Sequence, residues 1–141
     1  MTYLQTDFKL FLENNGFKDF SLDKILEIPS INNLTSEFSF ELFARDINNK
    51  EHYYSIINKI IDHEPNEKMK IPNLQKRIRK IENIKMKFNQ YNFGILFPYD
   101  KEIETYLSEH SDTVLKNNIS LYRFYEENNK TIFVKFLTEI N

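Results

Sequence analysis

The chain has 141 residues, 40% hydrophobic and 28% charged, with a formal net charge of −2. That length suits one domain, 1–141, able to bury a core unaided. The absence of cysteine excludes disulfides, thiolate metal sites and thiol nucleophiles, and two glycines are too few for a Gly-rich phosphate loop.

Asn doublets punctuate the sequence and mark boundaries, because Asn tolerates left-handed backbone. Phe8, Phe11 and Leu12 predict a helix over Asp7–Asn14, stopped at Gly16. Ser21 caps a short helix carrying Leu22, Ile25 and Leu26, ending before Pro29. Thr35–Arg45 alternates as a half-buried strand, with Phe38, Phe40, Leu42 and Ala44 on one face. Glu37, Ser39, Glu41 and Arg45 share the other face with Phe43. After a turn at Ile47–Lys50, Glu51–Asp62 fits either a helix or a strand; an antiparallel return strand is favoured.

A polar loop spans His63–Pro72, and Asn73 caps a helix running from Leu74 to about Asn89. Phe93–Phe97 is a short apolar strand stopped at Pro98. Asp100 caps a helix that turns Ile103, Tyr106 and Leu107 inward and continues through Val114 and Leu115. Ile119–Tyr125 and Thr131–Leu137 close the chain as a hairpin around Asn128-Asn129. The predicted architecture is α+β: a mixed or antiparallel sheet of two hairpins plus a short central strand, with helices packed on it.

Charge is the most specific feature. Residues 68–88 hold eight basic side chains against one acidic, about +7, whereas the other 120 residues (11 basic, 20 acidic) sum to about −9. Asn, Ile, Lys, Phe and Tyr form about half of the chain, and all five have AT-rich codons. Base composition therefore supplies lysines, but it does not explain their clustering. On a helical wheel Leu74, Ile78, Ile81, Ile84 and Phe88 make an apolar stripe. Lys76, Arg79, Lys80 and Lys87 lie opposite, Arg77 and Lys85 flank the stripe, and Lys68 and Lys70 precede it. Such a face suits phosphate contacts.

Other constellations carry less. Tyr122, Arg123, Phe124 and Tyr125 interleave on the closing hairpin, where core packing is the commoner meaning and base stacking the sharper one. Asp62-His63-Glu64 with Glu67 is the densest metal-like group but matches no ligand spacing, and His52 and His110 stand alone. Acid pairs such as Glu102 and Glu104 arise by chance among 21 acids. For a Mg²⁺ nuclease, acid-x-Lys on a strand is the pattern to seek. Asp7-Phe8-Lys9 matches it only within a predicted helix, and Phe43 stands where Glu41 would need a Lys.

The expectation is therefore a small, soluble, non-enzymatic binding module without metal or cofactor. Its basic helix engages nucleic acid, a nucleoprotein or an acidic protein surface. Lys76, Arg79, Lys80 and Lys87 make the central contacts; Lys68, Lys70, Arg77 and Lys85 form the rim. A protein-binding inhibitor or immunity-type factor is the alternative, and a degenerate nuclease-like scaffold is third. No apolar run approaches the ~18 residues of a membrane span, and Met1–Asp7 has no signal-peptide stretch. A cytoplasmic location away from membranes is expected.

Overall fold

The computed structural model describes residues 3–29, 35–57 and 70–136. In chain order they form α1 (Tyr3–Asn14), β1 (Lys18–Pro29), β2 (Thr35–Arg45), β3 (Glu51–Ile56), α2 (Lys70–Lys87), β4 (Asn92–Pro98), α3 (Lys101–Glu109), α4 (Ser111–Lys116), β5 (Ile119–Glu127) and β6 (Lys130–Phe136). The six strands make one mixed sheet in sequential order. β1, β2 and β3 pair antiparallel, β3, β4 and β5 pair parallel, and β6 returns antiparallel on β5.

The fold is α+β with a mixed sheet, but not two hairpins around a lone strand. A helix over 21–29 does not form. Those residues belong to β1, a 12-residue edge strand pairing with β2 as far as Pro29↔Thr35. The spacing of Leu22, Ile25 and Leu26 mimics a helix because β1 is irregular: Asp19 and Asp23 both adopt positive φ. Asp tolerates that region better than most residues.

The strand expected after the Asn48-Asn49 turn does form, antiparallel to β2, with Asn49 at φ 65. Asp46 Oδ1 fastens this turn by accepting from the Asn48 and Lys50 N–H groups. The strand at 93–97 and the closing hairpin are also present, the latter with Asn128 and Asn129 both left-handed. Two successive positive φ values match the right-handed twist of paired strands. Asp100 caps α3 by accepting from Ile103 N–H at 3.1 Å. The helix does not run on to Val114. It stops at His110, whose Nδ1–H donates to the Tyr106 carbonyl, and α4 starts anew.

Helices cover both sheet faces. Parallel neighbours need crossovers, and the two crossovers here, α2 and α3–α4, pack on one face. There Leu74, Ile78, Ile81, Ile84, Ile103, Leu107 and Val114 meet Phe43, Tyr53, Phe93, Ile95 and Phe97. On the other face α1 lays Leu4, Phe8 and Leu12 against Leu42, Tyr54, Ile56 and Leu96. Fully burying side chains such as Phe8 and Leu12 stabilises by about 1.5–3 kcal/mol each. Gly16, at φ +91, ends that helix as expected.

The strict alternation expected for β2 breaks at Glu41. Leu42 packs on the α1 side, yet Phe38 and Phe40 pack on the α2 side. β1 switches faces opposite that point: Leu22 joins α1, whereas Leu26 joins α2. The pivot is left-handed Asp23, flanked in register by Leu22↔Leu42 and Lys24↔Phe40.

Candidate functional site

The twist at Asp23 and Glu41 has two consequences. First, among the described residues the β2–β3 ladder ends at Leu42↔Tyr54. The next β3 donor, the Ile56 N–H, turns to the Glu41 side chain instead of a β2 carbonyl. Second, α1 holds the pivot from behind. Buried Gln5 donates from Nε2 to the Glu41 carbonyl (2.8 Å) and to Asp23 Oδ1 (3.3 Å).

The divergence of β2 from β3 leaves a groove of about 540 Å³ roofed by α2. Its β2 wall runs from Glu37 through Phe38, Ser39 and Phe40 to Glu41. The α2 wall presents Asn73, Lys76, Arg77 and Lys80 above the apolar Leu74, Ile81 and Ile84, with Ser55 and Ile57 of the β3 segment between. At the floor Arg77 Nη1 donates to Ser55 Oγ and lies 3.5 Å from Glu41 Oε1. Burial pushes the Glu41 carboxyl above its ordinary range; the Ile56 N–H and the Arg77 charge oppose that shift without cancelling it. Near the mouth Lys80 Nζ sits 5.6 Å from the centre of the half-buried Phe38 ring.

The basic residues singled out in the sequence do not share one environment. The apolar stripe Leu74, Ile78, Ile81 and Ile84 is buried, and Phe88 is half-buried, as the wheel requires. The helix itself starts at Lys70 rather than after Asn73. Pro72 falls in its first turn, where no N–H is needed. Lys76 and Lys80 are exposed along the groove, and Arg77, expected at the rim, reaches the floor. Arg79 lies on another side, in a depression with Gln75, Glu82, Tyr106 and His110. Lys85 folds back, donating to the Tyr91 carbonyl at 3.0 Å, and burial lowers its pKa. Lys87 is exposed in the last turn of α2, where a cation favours the helix dipole. Lys68 lies outside the described residues, as do Asp62, His63, Glu64 and Glu67.

The aromatic hairpin divides between packing and surface. Tyr122 and Phe124 join the α1 core. Arg123 turns the other way, donating to Glu104 Oε1 at 2.7 Å beneath the Tyr99 and Phe136 rings. His52 is tied to Asp46 at 2.8 Å, and His110 stacks on Tyr106. Asp7 and Lys9 are helical, as expected. No group of three or more His, Asp or Glu able to hold a metal occurs among the described residues. No described helix is long and apolar enough to cross a membrane.

Gln5, Ser55 and the structural part played by Glu41 are invisible to motif reading. Gln5 and Ser55 are common polar residues in apolar surroundings. The signal available was their position: a polar side chain on the buried face of a helix and another inside the strand run Tyr53–Ile57. No protein family, curated protein or solved structure matches this chain.

Proposed function

We propose that this chain is a non-enzymatic binding module in which α2 engages an anionic partner, nucleic acid or a nucleoprotein surface. The observation that carries this reading is the convergence of Lys76, Arg77 and Lys80 on one open groove. Two of the three are exposed along that wall, so they can meet phosphates without rearranging the core. Arg77 is fixed by Ser55 and Glu41, which presents its guanidinium at low conformational cost. Lys70 and Lys87 mark the two ends of the same helix. Arg79 faces the α3–α4 side and makes a secondary contact at most. The acidic remainder repels phosphates and orients the partner toward α2.

Fluorescence anisotropy with labelled oligonucleotides at two salt concentrations tests this. Affinity is expected to fall with salt, with a log–log slope of roughly −2 to −3 for three phosphate contacts. Lys76→Glu with Lys80→Glu is expected to abolish binding while the far-UV circular dichroism stays unchanged. Binding that ignores salt, or that survives the double charge reversal, refutes the proposal. A stable protein complex that persists after nuclease digestion, with no oligonucleotide binding, replaces it by the inhibitor reading.

A further inference from the structure

We infer that the groove between α2 and the diverging end of β2 takes a single strand of nucleic acid rather than a duplex. The inference rests on the anionic-partner reading of α2 and adds what kind of nucleic acid enters. The geometry points to it in three ways.

The two walls differ in charge. α2 supplies Lys76, Arg77 and Lys80, whereas β2 supplies Glu37 and Glu41. A duplex presents phosphates along both of its edges and would set one row against the carboxylates. A single strand has one phosphate row. It can lie along α2 with its bases turned to the β2 wall, where Ser39 and Glu37 offer acceptors and a hydroxyl to base amino groups. Lys76 and Lys80 are one turn apart, about 6 Å along the helix axis, and so can contact successive phosphates.

An aromatic surface sits beside those cations. The Phe38 ring is half-buried at the groove and already carries Lys80 Nζ at 5.6 Å. A cation and a ring in contact let one nucleotide place its phosphate on Lys80 and its base on Phe38, the combination that single-strand binders use. The volume, about 540 Å³, is on the scale of a small-ligand cleft and too small to admit the body of a duplex.

Glu41 sets the strength of the site. Among the described residues its Oε1 lies 3.5 Å from Arg77 Nη1, and the other charged groups lining the groove are Glu37, Lys76 and Lys80, with Asp23 behind the pivot. A phosphate entering the floor must compete with Glu41 for Arg77. Replacing the carboxylate by its amide keeps an oxygen for the Ile56 N–H and frees the guanidinium charge.

The experiment measures anisotropy of the full chain with a labelled 12-nucleotide single strand and its duplex, at one ionic strength. The single strand is expected to bind at least about tenfold more tightly. Phe38→Ala is expected to weaken single-strand binding about fivefold or more and leave duplex binding unchanged. Should Phe38→Ala unfold, Phe38→Leu removes the ring while keeping an apolar side chain. Glu41→Gln is expected to tighten single-strand binding several-fold. Equal affinity for the two forms, or no effect of Phe38 and Glu41 on the single strand, overturns this inference while leaving the α2 reading intact. If neither form binds, the α2 reading falls with it.

Discussion

Gly94 offers the sharpest test of the packing. It lies in the middle of β4, in register with Tyr54 on one side and Ser120 on the other, so its backbone is held by two ladders. A methyl group built there would stand 2.7 Å from both Cδ1 and Cε1 of Tyr54 and 3.2 Å from the Ser120 carbonyl oxygen. Carbon atoms prefer separations of about 3.5–4.0 Å, so the overlap with the ring approaches 1 Å at two atoms. The ring cannot swing away. Tyr54 is 1% exposed, and it meets Phe8 edge-on at 5.3 Å, Tyr122 at 6.2 Å and Phe17 at 6.5 Å. Overpacking a rigid core costs about 1–3 kcal/mol, and confinement on every side places Gly94→Ala near the upper value. That is a large share of the roughly 5–15 kcal/mol that holds a domain together. Urea unfolding followed by far-UV circular dichroism suits a chain without Trp. In a Tyr54→Leu background the same change at Gly94 should cost much less, because the ring that it strikes is gone. The packing argument fails if Gly94→Ala is within about 0.5 kcal/mol of wild type, or if its cost is equal in both backgrounds.

Four further outcomes are expected. Asp100→Ala removes the acceptor for Ile103 N–H and should lower stability by about 1 kcal/mol, read from the urea midpoint at constant slope. Burial opposes ionisation of Asp46, but hydrogen bonds from His52, Lys50 and Asn48 outweigh it and depress its pKa below 3.8. The unfolded chain then binds the proton more readily, so this contribution is complete above about pH 4 and is lost as pH falls through the lower folded value; Asp46→Asn should flatten stability against pH there. Glu41 has the opposite sign. Its raised folded pKa makes stability decline as pH rises from 4.5 through that value, a slope that Glu41→Gln should remove in the same titration. Arg123 Nε and Glu104 Oε2 are buried without a hydrogen-bond partner, so Arg123→Met alone strands a carboxylate and should cost roughly 1–3 kcal/mol. Arg123→Met with Glu104→Gln should recover part of that loss in thermal unfolding.

Local chemistry was legible in the sequence wherever one segment decides its own state. Left-handed Asn at 128 and 129, the Asp100 cap, Gly16 after α1 and the Ile stripe of α2 each act over a few residues, and each stands where its spacing placed it. The sequence places the start of α2 four residues late, at Leu74 instead of Lys70, because Pro72 reads as a breaker, yet a first turn tolerates it. β1 reads as a helix because its apolar residues Leu22 and Leu26 serve two different cores, and left-handed Asp23 between them breaks the period of two.

The groove was legible only in part. Lys76, Arg77 and Lys80 could be placed on an outward or flanking side of one helix, since a helix fixes the relative direction of its own side chains. What they face is another matter. Glu41, Ser55 and Gln5 are 36, 22 and 72 positions from Arg77 in sequence, and only the twist of β1 and β2 around Asp23 draws them to one place. Composition and periodicity by themselves determined an α+β chain with one basic amphipathic helix. The tertiary structure alone decided that this helix roofs an opening in the sheet, because a ladder that stops at Leu42↔Tyr54 depends on strands that meet only when the chain is folded.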